Sequence, residues 1–210
     1  MKTWIRTALA LTAAIGLLAG CGGAPSTEEQ ASGGERQTTF SEAPEMRIDT
    51  AKSYEAVVKT TKGEFTIELF AKDAPIAVNS FVFLAQQRYF EGIVFHRIVP
   101  DFVIQTGDPT GTGMGGPGYS FKDELDSPYE YGPGIVAMAN SGANTNGSQF
   151  FVCTGEWSKD LNKYPDYTIF GRIKAGMETV LAIGATPVGG ANGDTPQETI
   201  TIESVTIHES

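Results

Sequence analysis

The chain has 210 residues and a formal net charge of −10, a length that suits one domain with appendages. Such acidity argues against a nucleic-acid partner and against adhesion by charge to anionic lipid. With two histidines and two cysteines in all, no metal centre is expected.

The chain begins with Lys2 and Arg6, then runs apolar over residues 7–18 and into Leu18-Ala19-Gly20-Cys21. An apolar run of about a dozen residues is the size of a leader core and is too short to span a bilayer. That order of basic start, apolar core, small residues and cysteine resembles the bacterial lipoprotein signal. It implies a leader over residues 1–20 and a lipidated Cys21, with the rest exported and lipid-anchored on the extracytoplasmic side of a bacterial membrane. Residues 21–50 are rich in Gly, Ser, Thr, Glu and Pro, cannot bury a core, and read as a flexible linker. The folded domain is expected over residues 51–210.

Residues 54–59 and 64–70 alternate apolar and polar around Thr61-Lys62-Gly63, a hairpin pattern. Asp73-Ala74-Pro75 reads as a helix start with Asp73 as N-cap, followed by apolar Ile76, Val78, Phe81, Phe83, Leu84 and Tyr89. Strands are expected at 95–99 and 102–106, around Pro100-Asp101, before a glycine-rich loop over 107–118. Further strands fit 135–139, 149–154 and 168–173, a second helix 177–183, and a closing strand 199–207. About eight scattered short strands and two isolated helices do not make βαβ repeats. The expectation is a mainly β fold, a closed eight-stranded antiparallel barrel capped by two α-helices.

The most informative stretch is Phe95-His96-Arg97-Ile98-Val99 with Phe102-Val103-Ile104-Gln105-Thr106. It sets a permanent cation and one amide among apolar neighbours, which suits a greasy pocket with a few aimed polar groups. Other motifs carry less. The loop Gly111-Thr112-Gly113-Met114-Gly115-Gly116-Pro117-Gly118 lacks the Gly-Lys-Ser/Thr ending of a phosphate cradle. Ser148 lacks a nucleophile elbow. Cys153, in an apolar run, reads as a small buried hydrophobe, and His96 as a structural histidine.

Together with Met138-Ala139-Asn140-Ser141-Gly142 and Asn146-Gly147-Ser148-Gln149-Phe150-Phe151, the stretch from Phe95 to Asp108 resembles the cyclophilin family of peptidyl-prolyl isomerases. The late segment Tyr167-Thr168-Ile169-Phe170-Gly171 fits as well, so the resemblance spans residues 54–207. It implies the eight-stranded barrel, isomerisation of X-Pro bonds in exported polypeptides, no cofactor, proline-containing chains as partners, and a monomer by default. By the same resemblance Arg97 is the donor to the prolyl nitrogen, and Gln105 bonds the substrate carbonyl and positions Arg97. Asn140 anchors the substrate backbone, flanked by Ala139, Ser141 and Gln149, while Phe102, Val103, Phe151 and Leu161 line the proline pocket.

The chain departs from the family pattern in two places. Val103 stands where methionine is usual. The loop over 156–167 is about two residues longer, with Tyr167 in the place of the pocket histidine, and Trp157 precedes Leu161 by four positions rather than adjoining it. Two other readings compete: a cyclophilin-like binding module with negligible turnover, and a solute-binding lipoprotein, for which a larger two-lobed α/β chain is usual.

Overall fold

The structure, a computed structural model, describes residues 36–210. The expected leader and Cys21 lie outside the described residues. In chain order the elements are β1 (Tyr54–Thr60), β2 (Gly63–Leu69), α1 (Pro75–Gln86), β3 (Arg97–Val99), β4 (Val103–Thr106), β5 (Ile135–Met138) and β6 (Phe150–Cys153). A 3₁₀ helix (Glu156–Lys163), β7 (Ile169–Ala175), α2 (Met177–Gly184), β8 (Val188–Gly189), β9 (Thr195–Pro196) and β10 (Ile202–Glu209) complete it.

Eight strands form one curled antiparallel sheet in the order β10-β1-β2-β7-β5-β6-β4-β3. The expected closed barrel is therefore corrected to an open one. Its two edge strands do not share a ladder; they are linked just outside their ends. There Val94 bridges Thr201, Phe95 N–H donates to the Ile200 carbonyl at 2.9 Å and Ile202 N–H to the Ile93 carbonyl at 2.8 Å. The 3₁₀ helix and the small β8–β9 hairpin lie where only loop was expected.

Strand alternation sorts the side chains into two clusters. Ile98, Ile104, Val136, Phe150, Val152 and Phe170 point into the main core, with α1 packed through Val78, Phe81 and Leu84. Their sequence neighbours Val99, Val103, Ala137, Phe151, Cys153 and Ile169 point to the outer face and form a second, smaller cluster. A period of two produces this split wherever both sheet faces are covered. Cys153 belongs to the outer cluster; burial pushes its thiol up to about 11, which leaves it inert.

Helix α1 begins at Pro75 as expected, but its N-cap is Ala74, not Asp73, and no cap side chain bonds its first turn. The orphan N–H groups of Ile76 and Ala77 instead donate to the two carboxylate oxygens of Glu124, each at 3.0 Å. A carboxylate there also faces the positive end of the helix dipole.

The expected linker extends too far at its C-terminal end. Arg47 N–H donates to Asn79 Oδ1 at 2.8 Å, and Asn79 Nδ2 donates to the Glu45 carbonyl at 2.9 Å. Phe40 packs edge-on against Phe83, 5.1 Å between ring centres, and its N–H donates to the Pro117 carbonyl at 2.8 Å. Low hydrophobicity hid this, because one aromatic and a few backbone groups suffice to hold an extended strap against a formed body.

Candidate active site

Antiparallel register builds the site on the outer face of the sheet. Arg97 on β3 stands opposite Gln105 on β4, Gln105 opposite Phe151 on β6, and Phe151 opposite Ala137 on β5. Directly opposed residues on one face lie about 4.5–5.5 Å apart at Cβ, so the cation, the amide and the aromatic form one row.

At the end of that row is a cavity of about 160 Å³ lined by Arg97, Phe102, Val103, Gln105, Ala139, Asn140, Phe151, Leu161 and Tyr167. An apolar cavity of about 150 Å³ holds a benzene molecule, so a pyrrolidine ring fits. Phe151, 5 % exposed, belongs to the floor. Tyr167 stands edge-on to it, with ring centres 5.4 Å apart and planes at 87°. A second cavity of about 350 Å³ adjoins through Gln105, Ala139 and Asn140, and its lining includes Ser141, Gln149, Met114 and Tyr119. All eleven residues singled out for catalysis or substrate contact thus line one groove with two chambers, Ser141 and Gln149 in the larger.

A chain of polar contacts crosses the groove. Arg97 donates from Nε to Asp194 Oδ2 at 3.0 Å and from its terminal amino group to Gln105 Oε1 at 3.3 Å. Gln105 Nε2 donates to Gln149 Oε1 at 3.0 Å, and Gln149 Nε2 donates to the carbonyls of Gly113 and Gly115 at 3.0 and 2.8 Å. Gly107 allows this approach: a Cβ there would come within 2.2 Å of the Ser148 carbonyl oxygen, and its φ is +89°. Asn140 donates from Nδ2 to the Asp166 carbonyl at 2.9 Å, beside Tyr167.

Buried residues outside the motifs hold the walls. Asp108, 1 % exposed, accepts from the N–H groups of Thr110, Thr112 and Gly113 and so shapes the glycine-rich loop. Burial pushes its carboxyl up, but these donors, with the Thr110 hydroxyl and the Gly115 N–H, outweigh that and hold it below its ordinary value. Tyr131 staples the opposite wall. Its hydroxyl donates to the Tyr167 carbonyl and accepts the Tyr167 N–H at 3.1 Å, while its backbone exchanges bonds with the Asn162 side chain. Burial raises its phenol to about 12, so it stays neutral.

The sequence reading missed Asp108, Tyr131 and Asp194. Asp108, followed by Pro-Thr-Gly-Thr-Gly, carried a turn signal that marked it; the other two lie far along the chain from what they hold. His96 lies beside Gly113, with both ring nitrogens buried and without a partner among the described residues. Burial lowers its pKa, with Asp108 opposing and Arg97 adding to the shift.

A slot walled by Phe102, Val103, Phe151, Leu161 and Tyr167 carries a permanent cation and an amide, Arg97 and Gln105, and adjoins a second, larger chamber. Fold and site together define an open β-barrel with a two-chambered groove on the outer face of its sheet. The model of the family described as cyclophilin type peptidyl-prolyl cis-trans isomerase/CLD matches residues 56–207. A peptidyl-prolyl cis-trans isomerase-like 1 of Aspergillus oryzae is 46 % identical over 135 residues, covering 62 % of this chain and 82 % of the relative. A probable peptidyl-prolyl cis-trans isomerase A of Mycobacterium bovis is 41 % identical over 170 residues, covering 72 % and 91 %. A crystal structure of a Cryptosporidium parvum cyclophilin-type isomerase, determined in the presence of the dipeptide Ala-Pro, superposes with a TM-score of 0.68 at 34 % identity, covering 74 % of this chain and 99 % of that one. The chain belongs to the cyclophilin family, and its activity is peptidyl-prolyl cis-trans isomerisation.

Proposed function

We propose that Arg97 is the catalytic donor, that the smaller chamber takes the substrate proline ring, and that the neighbouring chamber takes the adjoining chain. The observation that carries this is the single row of Arg97, Gln105 and Phe151 leading into a cavity of about 160 Å³. An X-Pro bond rotates over a barrier of roughly 18–20 kcal/mol. Twisting it breaks amide resonance and returns a lone pair to the prolyl nitrogen. A donor aimed there bonds the twisted state better than the planar one, and each 1.36 kcal/mol of that difference gives about tenfold in rate. Arginine suits the task because it never deprotonates. Gln105 accepts from Arg97 and sits where it can meet the substrate carbonyl; Asn140, whose backbone would anchor the chain, borders both chambers with Ala139, and Ser141 lines the larger. Phe102, Val103, Phe151, Leu161 and Tyr167 exclude water from the ring, whose burial adds roughly 1.5–3 kcal/mol of binding.

A hydrogen bond from a charged donor contributes about 1.5–3 kcal/mol, so Arg97→Ala should slow isomerisation of a proline tetrapeptide by about 10- to 150-fold with the fold intact. Full activity in that variant would sink the mechanism and favour the binding-module reading, in which the groove holds proline chains without turnover.

The order of Lys2, Arg6, the apolar run and Leu18-Ala19-Gly20-Cys21 supports an exported protein anchored through lipid on Cys21, acting on extracytoplasmic chains. No helix among the described residues is long and apolar enough to cross a membrane. Intact-mass analysis of the membrane fraction tests the anchor: Cys21→Ser should abolish a lipid adduct, and an unmodified wild-type Cys21 would remove that part of the proposal.

A further inference from the structure

We propose that Asp194 is a positioning residue for the isomerisation, holding the Arg97 guanidinium in the plane that presents it to the proline chamber. The inference rests on the isomerase reading and adds a residue outside the groove lining. Asp194 lies in the turn of the β8–β9 hairpin, where Val188 pairs Pro196 and Gly189 pairs Thr195. Gly190 and Gly193 take left-handed φ values of +79° and +72°, and Gly193 N–H closes the turn onto the Gly190 carbonyl at 3.2 Å.

From this turn one residue grips two consecutive positions of edge strand β3. The Asp194 carbonyl accepts the Ile98 N–H at 2.8 Å, and its carboxylate accepts Arg97 Nε–H at 3.0 Å. The backbone bond fixes where the carboxylate sits, so it is not a chance pairing of two long surface side chains. The side chains are 38 % and 22 % exposed, which sets the pair apart from the freely solvated lysine pairs elsewhere.

Gln105 by itself reaches one terminal amino group at 3.3 Å, which leaves an arginine on an edge strand free to swivel about that contact. A second bond at Nε, in the same rigid plane, removes that freedom. Donors aimed in advance at developing electron density are what such catalysis uses, because no reorganisation is then needed during rotation of the bond. The carboxylate also offsets the charge that Arg97 brings beside Phe102 and Val103.

Asp194→Ala and Asp194→Asn separate positioning from simple docking of the hairpin, since both keep the backbone bond to Ile98 and the amide still offers an oxygen to Nε. Steady-state isomerisation of a proline tetrapeptide and the NMR signal of Arg97 Nε–H are read in each, with backbone amide fingerprints to show the hairpin in place. Expected for Asp194→Ala is a fall in kcat of about tenfold with KM within about twofold, and faster solvent exchange at Nε. Asp194→Asn should recover most of kcat. Wild-type kcat in Asp194→Ala, or equal loss in both variants, overturns the inference while active wild-type protein preserves the isomerase reading; an inactive wild type overturns both.

Discussion

Replacing Tyr131 by Phe removes a single oxygen, yet it should loosen one wall of the proline chamber. That oxygen donates to the Tyr167 carbonyl and accepts the Tyr167 N–H at 3.1 Å. Each such bond contributes about 0.5–1.5 kcal/mol net, so the pair contributes about 1–3 kcal/mol. The segment keeps its other ties: Asn162 to the Tyr131 backbone, Leu161 in the outer cluster, and Tyr167 edge-on to Phe151. The loss should therefore appear as local opening of the wall rather than global unfolding. Native-state hydrogen exchange at the Tyr167 amide should speed up by about 5- to 150-fold, the kinetic equivalent of that free energy. In protease-coupled assays KM should rise, because Tyr167 and Leu161 line the chamber proposed for the proline ring, while kcat changes little, because Arg97 and Gln105 are untouched. Unchanged exchange at Tyr167 together with unchanged KM would refute this account. So would a collapse of kcat at normal KM in a protein whose backbone amide spectrum is intact.

The remaining predictions concern pH and the N-terminal strap. His96 is buried and its pKa is lowered, so the unfolded chain binds its proton first on acidification. Its contribution to stability is full above about pH 6.5 and is lost as pH falls from there through the folded value. Urea unfolding of His96→Phe should accordingly show a flatter stability profile over that window than wild type; parallel profiles would refute the assignment. A chain beginning at residue 51 should be less stable than one beginning at residue 36, because Asn79, 4 % exposed, then loses the backbone partners at Glu45 and Arg47. Leaving a buried amide unsatisfied costs about 1–3 kcal/mol, which lowers Tm by roughly 2–4 °C per kcal/mol for a domain of this size; equal melting temperatures would show the strap to be dispensable.

The sequence by itself determined most of the strands, both α-helices and the residues that line the groove. Alternating residues marked the strands, Pro75 marked the start of α1, and a cation and an amide on apolar strands marked the groove. These signals are local: strand period, turn chemistry and side-chain type are properties of neighbours in the chain. The residue pattern did not say which of Phe150 and Phe151 faces the core; only the family resemblance pointed to Phe151 for the groove. Alternation assigns them to opposite faces, but only packing of α1 on one side decides which face is inside. Nor did it disclose that the barrel stays open between β3 and β10, since pairing at sheet edges depends on the curl of the whole sheet.

Glu124 under α1, Tyr131 behind Tyr167 and Asp194 behind Arg97 were invisible for a related reason. Each acts over 31 or more positions along the chain. A hydrogen bond at that separation leaves no trace in composition or spacing; it exists only once strand register and loop closure bring the two groups within 3 Å or so of one another. The chemistry of the groove was therefore written in its own residues, whereas the aim of Arg97 and the wall formed by Tyr167 were decided by tertiary structure.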